Sequence, residues 1–153
     1  MRKLFVILLV AVLISGCGDF FETWSFVRIE NHSGKVVWAC GVLPSRDEYG
    51  EWILLDVDGR EVKFFVADGN FKRILSDENR VHVYITEKKP AERINPSMTE
   101  SEIMQKFSVI QKYELTRDDW LNLKCITYPP TEKMARVQMW PPYEKSVEQG
   151  ENK

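Results

Sequence analysis

The sequence predicts a mainly β fold: a single sandwich-like domain of two packed antiparallel sheets, with two short helices late in the chain and a cleaved leader in front. Three observations carry it. Apolar and polar residues alternate in short runs such as "VHVYIT", the period of two that turns one face of a strand toward a core. Clusters of Gly, Asn, Asp, Ser and Pro punctuate these runs at turn spacing. Only after residue 95 does the period lengthen to that of a helix, twice, each time behind a capping pattern.

The first element is the leader. Arg2 and Lys3 precede an unbroken apolar run of 11 residues, Leu4 to Ile14, the basic head and greasy centre of an export signal. Crossing a bilayer takes about 20 apolar residues, so this run is read as cleaved. Ile14-Ser15-Gly16-Cys17 resembles the bacterial lipobox, which implies a mature chain beginning at Cys17 with acyl chains on its sulfur and its amino group. Each buried methylene contributes about 0.8 kcal/mol, one chain holds marginally, and two or more hold firmly. The expected partner of Cys17 is therefore a lipid leaflet, and the expected address is the cell envelope, at the periplasmic face or outer surface of the outer membrane.

Residues 1–16 are then the signal, 17–24 a lipidated tether, 25–130 the β-rich domain, and 131–153 a tail with one possible edge strand followed by disorder. "SFVRIENHSGKVVWACGV" reads as strand, turn at residues 31–34, and returning strand, Gly34 supplying a positive φ. "EWILLDVDGREVKFFV" reads as a hairpin about Asp58-Gly59, which pairs Ile53 with Phe64 and Leu55 with Val62 on an apolar face, and Trp52 with Phe65 on the other. In "VHVYIT", Val81, Val83 and Ile85 share the core face, opposite His82, Tyr84 and Thr86. Pro96 with Ser97-x-x-Glu100 opens the first helix, carrying Ile103, Met104 and Phe107; Thr116-x-x-Asp119 opens the second. "VIQKYEL" and "CITY" supply strands, the latter stopped by Pro129-Pro130.

Without the leader the chain keeps 19 Lys and Arg against 23 Asp and Glu, a formal net charge of −4. That leaves no excess of positive charge to neutralise a phosphate backbone, which argues against nucleic acid as a partner. Cys40 and Cys125 sit in apolar strand-like runs, and two readings stand: a disulfide formed in an oxidising compartment, or two small core residues. Neither has a second cysteine or a histidine at zinc-ligand spacing, so no metal and no cofactor is expected.

"DVDGRE" has the acids of a calcium loop but not their spacing, since Leu54 and Phe65 stand where an EF-hand needs carboxylates; a weak site on Asp56, Asp58 and Glu61 would be the remainder. His32 and His82 are the histidines, with no Gly-x-Ser-x-Gly elbow beside either, and they read as turn and strand-surface residues. No catalytic residue is assigned. Trp52 with Phe65, on the hairpin face opposite the aliphatic one, is the candidate ligand-binding pair, an aromatic patch if nothing covers it.

The order "IENHSGKVVW", "VHVYIT", "SVIQKYELTRDDW" and "CITYPP" resembles a family of small Bacteroides-type lipoproteins. The matching positions are Asn31 and Ser33, then Ile110, Tyr113 and Leu115, then Thr116 and Asp119, and lastly Ile126, Thr127, Tyr128 and Pro129. Thr86-Glu87 and the length of chain after Pro130 depart from the pattern. The resemblance implies lineage and compartment and carries no activity. The expected function is non-enzymatic: a lipid-anchored binding or structural accessory at the envelope, with an envelope protein or glycan as partner. The alternatives are a hydrolase acting on glycan or peptide, and an inhibitor or immunity-like partner.

Overall fold

The computed structural model describes residues 24–42, 50–57, 62–67, 80–123 and 125–144. Two sheets form the domain. In the three-stranded sheet β1 (Trp24–Asn31) is central, with β4 (Val62–Ala67) antiparallel on one side and β7 (Cys125–Tyr128) parallel on the other. The five-stranded sheet is antiparallel throughout, in the order β3 (Ile53–Leu55), β2 (Val37–Val42), β5 (Val81–Thr86), β6 (Gln111–Leu115), β8 (Gln138–Trp140). Two short helices, α1 (Glu100–Lys106) and α2 (Arg117–Asn122), come late in the chain. The mainly β, two-sheet architecture is thus the one the alternation predicts, with one parallel pair, Arg28 to Cys125 through Asn31 to Tyr128, added to it.

The hairpin about residues 58 and 59 does not form. β3 pairs with β2, Val37 opposite Leu55, whereas β4 pairs with β1, Ile29 opposite Val62. The chain therefore changes sheets between Leu55 and Val62. A period of two says which side chains face a core, and in a sandwich strands from either sheet face the same one. The segment after Asn31 likewise crosses between sheets instead of returning beside β1. Buried Asn31 fastens that crossing: its Nδ2 donates to the carbonyls of Lys35, Leu55 and Asp56, and its Oδ1 accepts from the Ser33 amide at 3.0 Å. Gly34 takes φ +70°, where a Cβ is strained.

Between the sheets lie Ile29 and Ile126 on one side and Val37, Ala39, Leu55, Val81, Val83, Ile85, Tyr113 and Leu115 on the other. Each such aliphatic side chain, fully buried, contributes about 1.5–3 kcal/mol. Met134 and Val137 complete this core, so the chain beyond Pro130, expected as a loose tail, is packed into the domain as far as β8.

The outer face of the five-stranded sheet is covered as well. Cys40 and Tyr84 are buried beneath Ile94, Ile103, Phe107 and Val109, contributed by α1 and its flanking segments. α1 begins one pattern later than expected: Thr99 is its N-cap and Glu102 closes the capping box, while Ser97 bonds back to Asn95 Oδ1. Both Ser97-x-x-Glu100 and Thr99-x-x-Glu102 satisfy the local rule. The later start aims Ile103 and Phe107 at the sheet, and packing chooses it. For α2 the expected box, Thr116 with Asp119, is the one formed.

Candidate functional site

Two groups of polar side chains share that outer face, at opposite ends of it. The first arises from strand register. His82 is opposite Glu114, Glu114 opposite Gln138, Tyr84 opposite Lys112, and Lys112 opposite Trp140, so alternation delivers all of these to one face. The Lys112 side chain is 2% exposed, and its ammonium lies 2.5 Å from Glu100 Oε2 and 2.5 Å from Glu114 Oε1. Arg80 reaches the other Glu114 oxygen at 3.2 Å and also bonds Gln138 Oε1. Tyr84 Oη is 3.2 Å from His82 Nδ1.

This array shifts its own titrations. Burial pushes His82 below its ordinary range, and the Lys112 charge adds to that. Burial alone would raise Glu114, but the hydrogen bond and charge of Lys112, then His82 and Arg80, outweigh it and hold the carboxyl low. Tyr84 is pushed up, mainly by burial. Donor atoms of His82, Glu100 and Glu114 lie within 4.8 Å of one another, a metal-like trio that sequence reading did not assemble. The Lys112 ammonium already stands between the two carboxylates, and a metal ion would have to displace it; the trio is neutralised by its own lysine. Among the described residues no other such cluster of His, Cys, Asp and Glu occurs. The strand alternation held the signal for His82 with Glu114, but Glu100 joins from α1 by packing alone.

The second group is a groove of about 420 Å³ at the β2–β3 end, lined by Trp38, Glu51, Trp52 and residues 89–93. Its volume falls within the range of about 300–1,000 Å³ usual for small-molecule sites. Trp52 is fixed from two sides: its Nε1 donates to the Glu92 carbonyl at 3.1 Å, and its ring meets Phe107 at 5.3 Å, tilted by 55°. The Lys89 ammonium lies 5.2 Å from the centre of the Trp38 ring. The expected pair of Trp52 with Phe65 is not made, because Phe65 is on β4, opposite Phe26 in the other sheet. Trp52 therefore keeps a place in a candidate site, with Trp38 as its aromatic neighbour. Sequence alternation could not supply that pairing, since it depends on the loop after β5 folding over the sheet.

Cys40 carries a free thiol, buried in the outer cluster, and Cys125 belongs to the opposite sheet, its Sγ donating to the Ile126 carbonyl at 3.3 Å. They are not joined to each other. Burial, with Glu51 adding, pushes the Cys40 thiol up to about 12, which leaves it without thiolate at neutral pH. His32 is exposed on the β1–β2 connection, its Nε2 2.9 Å from Glu30 Oε2, while the adjacent Ser33 hydroxyl is held by Asn31. Asp56 caps its own turn by accepting from the Val57 amide at 2.7 Å; Asp58, Glu61 and Cys17 lie outside the described residues. Among the described residues, no helix is long and apolar enough to cross a membrane. No protein family, curated protein or solved structure matches the chain.

Proposed function

We propose that this chain is a lipid-anchored protein of the bacterial envelope whose domain binds a ligand in the Trp38–Trp52 groove and does no chemistry on it. The observation that carries the reading is the contrast between the two polar groups. In the Lys112 cluster both carboxylates are engaged by a lysine or arginine of the same domain, and His82 has the Tyr84 hydroxyl as its partner and no free carboxylate to orient it. The groove instead presents two indoles at a concave surface, one of them locked by a hydrogen bond and a ring contact, the preorganised form of a recognition element.

Chain direction supports a role facing away from the membrane. Residues 17–23 reach at most about 25 Å at 3.3–3.6 Å each. β1 then runs for 8 residues, a further span of about 26 Å. Trp38 follows the turn at the end of β1 distant from Trp24.

Two measurements test this. Fatty-acid labelling of cells carrying the full chain should mark the wild type and spare Cys17→Ser; an unlabelled, freely soluble wild type overturns the anchor. Envelope material stripped of its lipid should retain the wild-type chain, held in detergent micelles, on sedimentation and release a Trp38→Ala/Trp52→Ala variant that stays folded by circular dichroism. Equal retention of the two overturns the groove.

A further inference from the structure

The lining of the groove narrows its ligand. Resting on the binding role just described, we propose that it takes a sugar bearing a carboxylate, with a pyranose ring laid on Trp52 and the carboxylate on the ammonium of Lys89.

Flat aromatic groups and charged groups line the concavity together. Indole rings present a negative face, to which the weakly positive C–H face of a pyranose is complementary. Charged side chains share the lining with the indoles, Glu51 and Arg93 forming one ion pair among them. A purely aliphatic ligand would strip water from these groups and return no hydrogen bond, at a cost of about 1–3 kcal/mol for each group left unsatisfied. A ring with one apolar face and a hydroxyl edge satisfies both kinds of lining at once.

The sign of charge follows from who is already paired. Arg93 is engaged by Glu51, and the Glu92 carboxylate is drawn out of the groove to Lys106 at 2.8 Å, on the side of a neighbouring hollow of about 510 Å³. Lys89 is the lining charge whose recorded contact is an aromatic face and no carboxylate. That contact holds the ammonium in place over Trp38 while leaving its hydrogen-bonding capacity for a ligand. With Trp38 beneath Lys89, the indole left for ring stacking is that of Trp52, which lines the groove while its ring also meets Phe107. Exposed Lys88 is next in the chain and adds to the positive potential at this end.

The test uses the full chain in detergent micelles and follows tryptophan fluorescence on titration with a galacturonic acid hexamer and, separately, with a neutral glucose hexamer. The acidic hexamer is expected to bind and the neutral one to bind at least about tenfold more weakly, matching the loss of one charge-assisted hydrogen bond. Lys89→Met should weaken the acidic hexamer by about ten- to a hundredfold, should leave the neutral one unaffected, and should reduce the salt dependence. Lys89 is exposed, so its unfolding midpoint should not move, which separates lost recognition from lost folding.

Equal affinity for the two hexamers, or an acidic affinity indifferent to Lys89→Met, overturns the carboxylate assignment and leaves the groove as a binding site. Failure of both hexamers while tryptophan-dependent retention on envelope material persists overturns the sugar assignment alone. Failure of both together with equal retention of the Trp38→Ala/Trp52→Ala variant removes the binding role as well.

Discussion

The two faces of the five-stranded sheet are both buried, by opposite means. On the inner face Val37, Ala39, Leu55, Val81, Val83, Ile85, Tyr113 and Leu115 meet the other sheet, and polar groups there are few: Tyr113 Oη donates to the Thr127 carbonyl at 2.9 Å and buried Asn31 to the Leu55 carbonyl at 3.2 Å. On the outer face the same strands carry Cys40, Tyr84 and Lys112, and what covers them is a seven-residue helix and a loop. Apolar contact is non-directional, so the inner face specifies that the sheets stack and little more. Charged groups lose hydration when buried and hold only in a fixed geometry, so the outer face specifies where α1 must sit. The inner face thus supplies stability and the outer face supplies position.

Substitutions can break that contrast or sharpen it. The largest effect is expected from the inner face: Ile85→Ala should lower unfolding free energy by about 2–5 kcal/mol, by an amount indifferent to pH, measured by urea denaturation. Lys112→Met should cost about 1–3 kcal/mol, since it leaves the largely buried Glu114 with Arg80 alone, and adding Glu114→Gln should recover part of the loss; full additivity of the two changes would show that the cluster is not a unit. Gly50→Ala should cost about 1–3 kcal/mol, because a Cβ there would stand 2.6 Å from Cys40 Sγ and 2.9 Å from Val42 Cγ2, beneath the Gly50–Ile94 bridge.

Acid should separate the faces next. His82 has its pKa lowered by folding, so its contribution is complete above its unfolded value near 6.5 and is lost as pH falls below that. Glu114 is also lowered, so its contribution is present above about 4.5 and is lost as pH falls through its folded value. Denaturation midpoints should therefore decline from pH 7 to 5.5, and His82→Gln should flatten that stretch alone. A decline that survives His82→Gln would place the titration elsewhere. The smallest effect is local: Thr116→Ala and Thr99→Ala should each cost about 1 kcal/mol through loss of an N-cap, visible as a small shift in thermal midpoint.

Much of this is readable one residue at a time. Val81, Val83 and Ile85 face the core and His82 and Tyr84 oppose them because side chains alternate along any strand. Thr116 with Asp119 caps α2 because the box closes within four residues. What fails is whatever needs a partner from afar: Ile53 and Phe64 carry an equally good pattern for a hairpin and for two separate sheets, and Ser97 and Thr99 offer equally good caps until Ile103 and Phe107 find Tyr84. The groove shows the same limit, since Trp52 and Trp38 come to line one concavity only after β3 pairs with β2 and the loop beyond β5 folds across.

The sequence by itself determined the strand-rich class, the faces of β5 and the cap of α2, because each rests on an interaction closed within a few residues. Tertiary structure alone decided which strands are neighbours, that the stretch after Pro130 belongs to the core, and that a lysine sits between two glutamates while another is held over an indole. Those outcomes depend on pairings as distant as Arg28 with Cys125, where many registers satisfy the local pattern and only joint packing of the whole chain selects one.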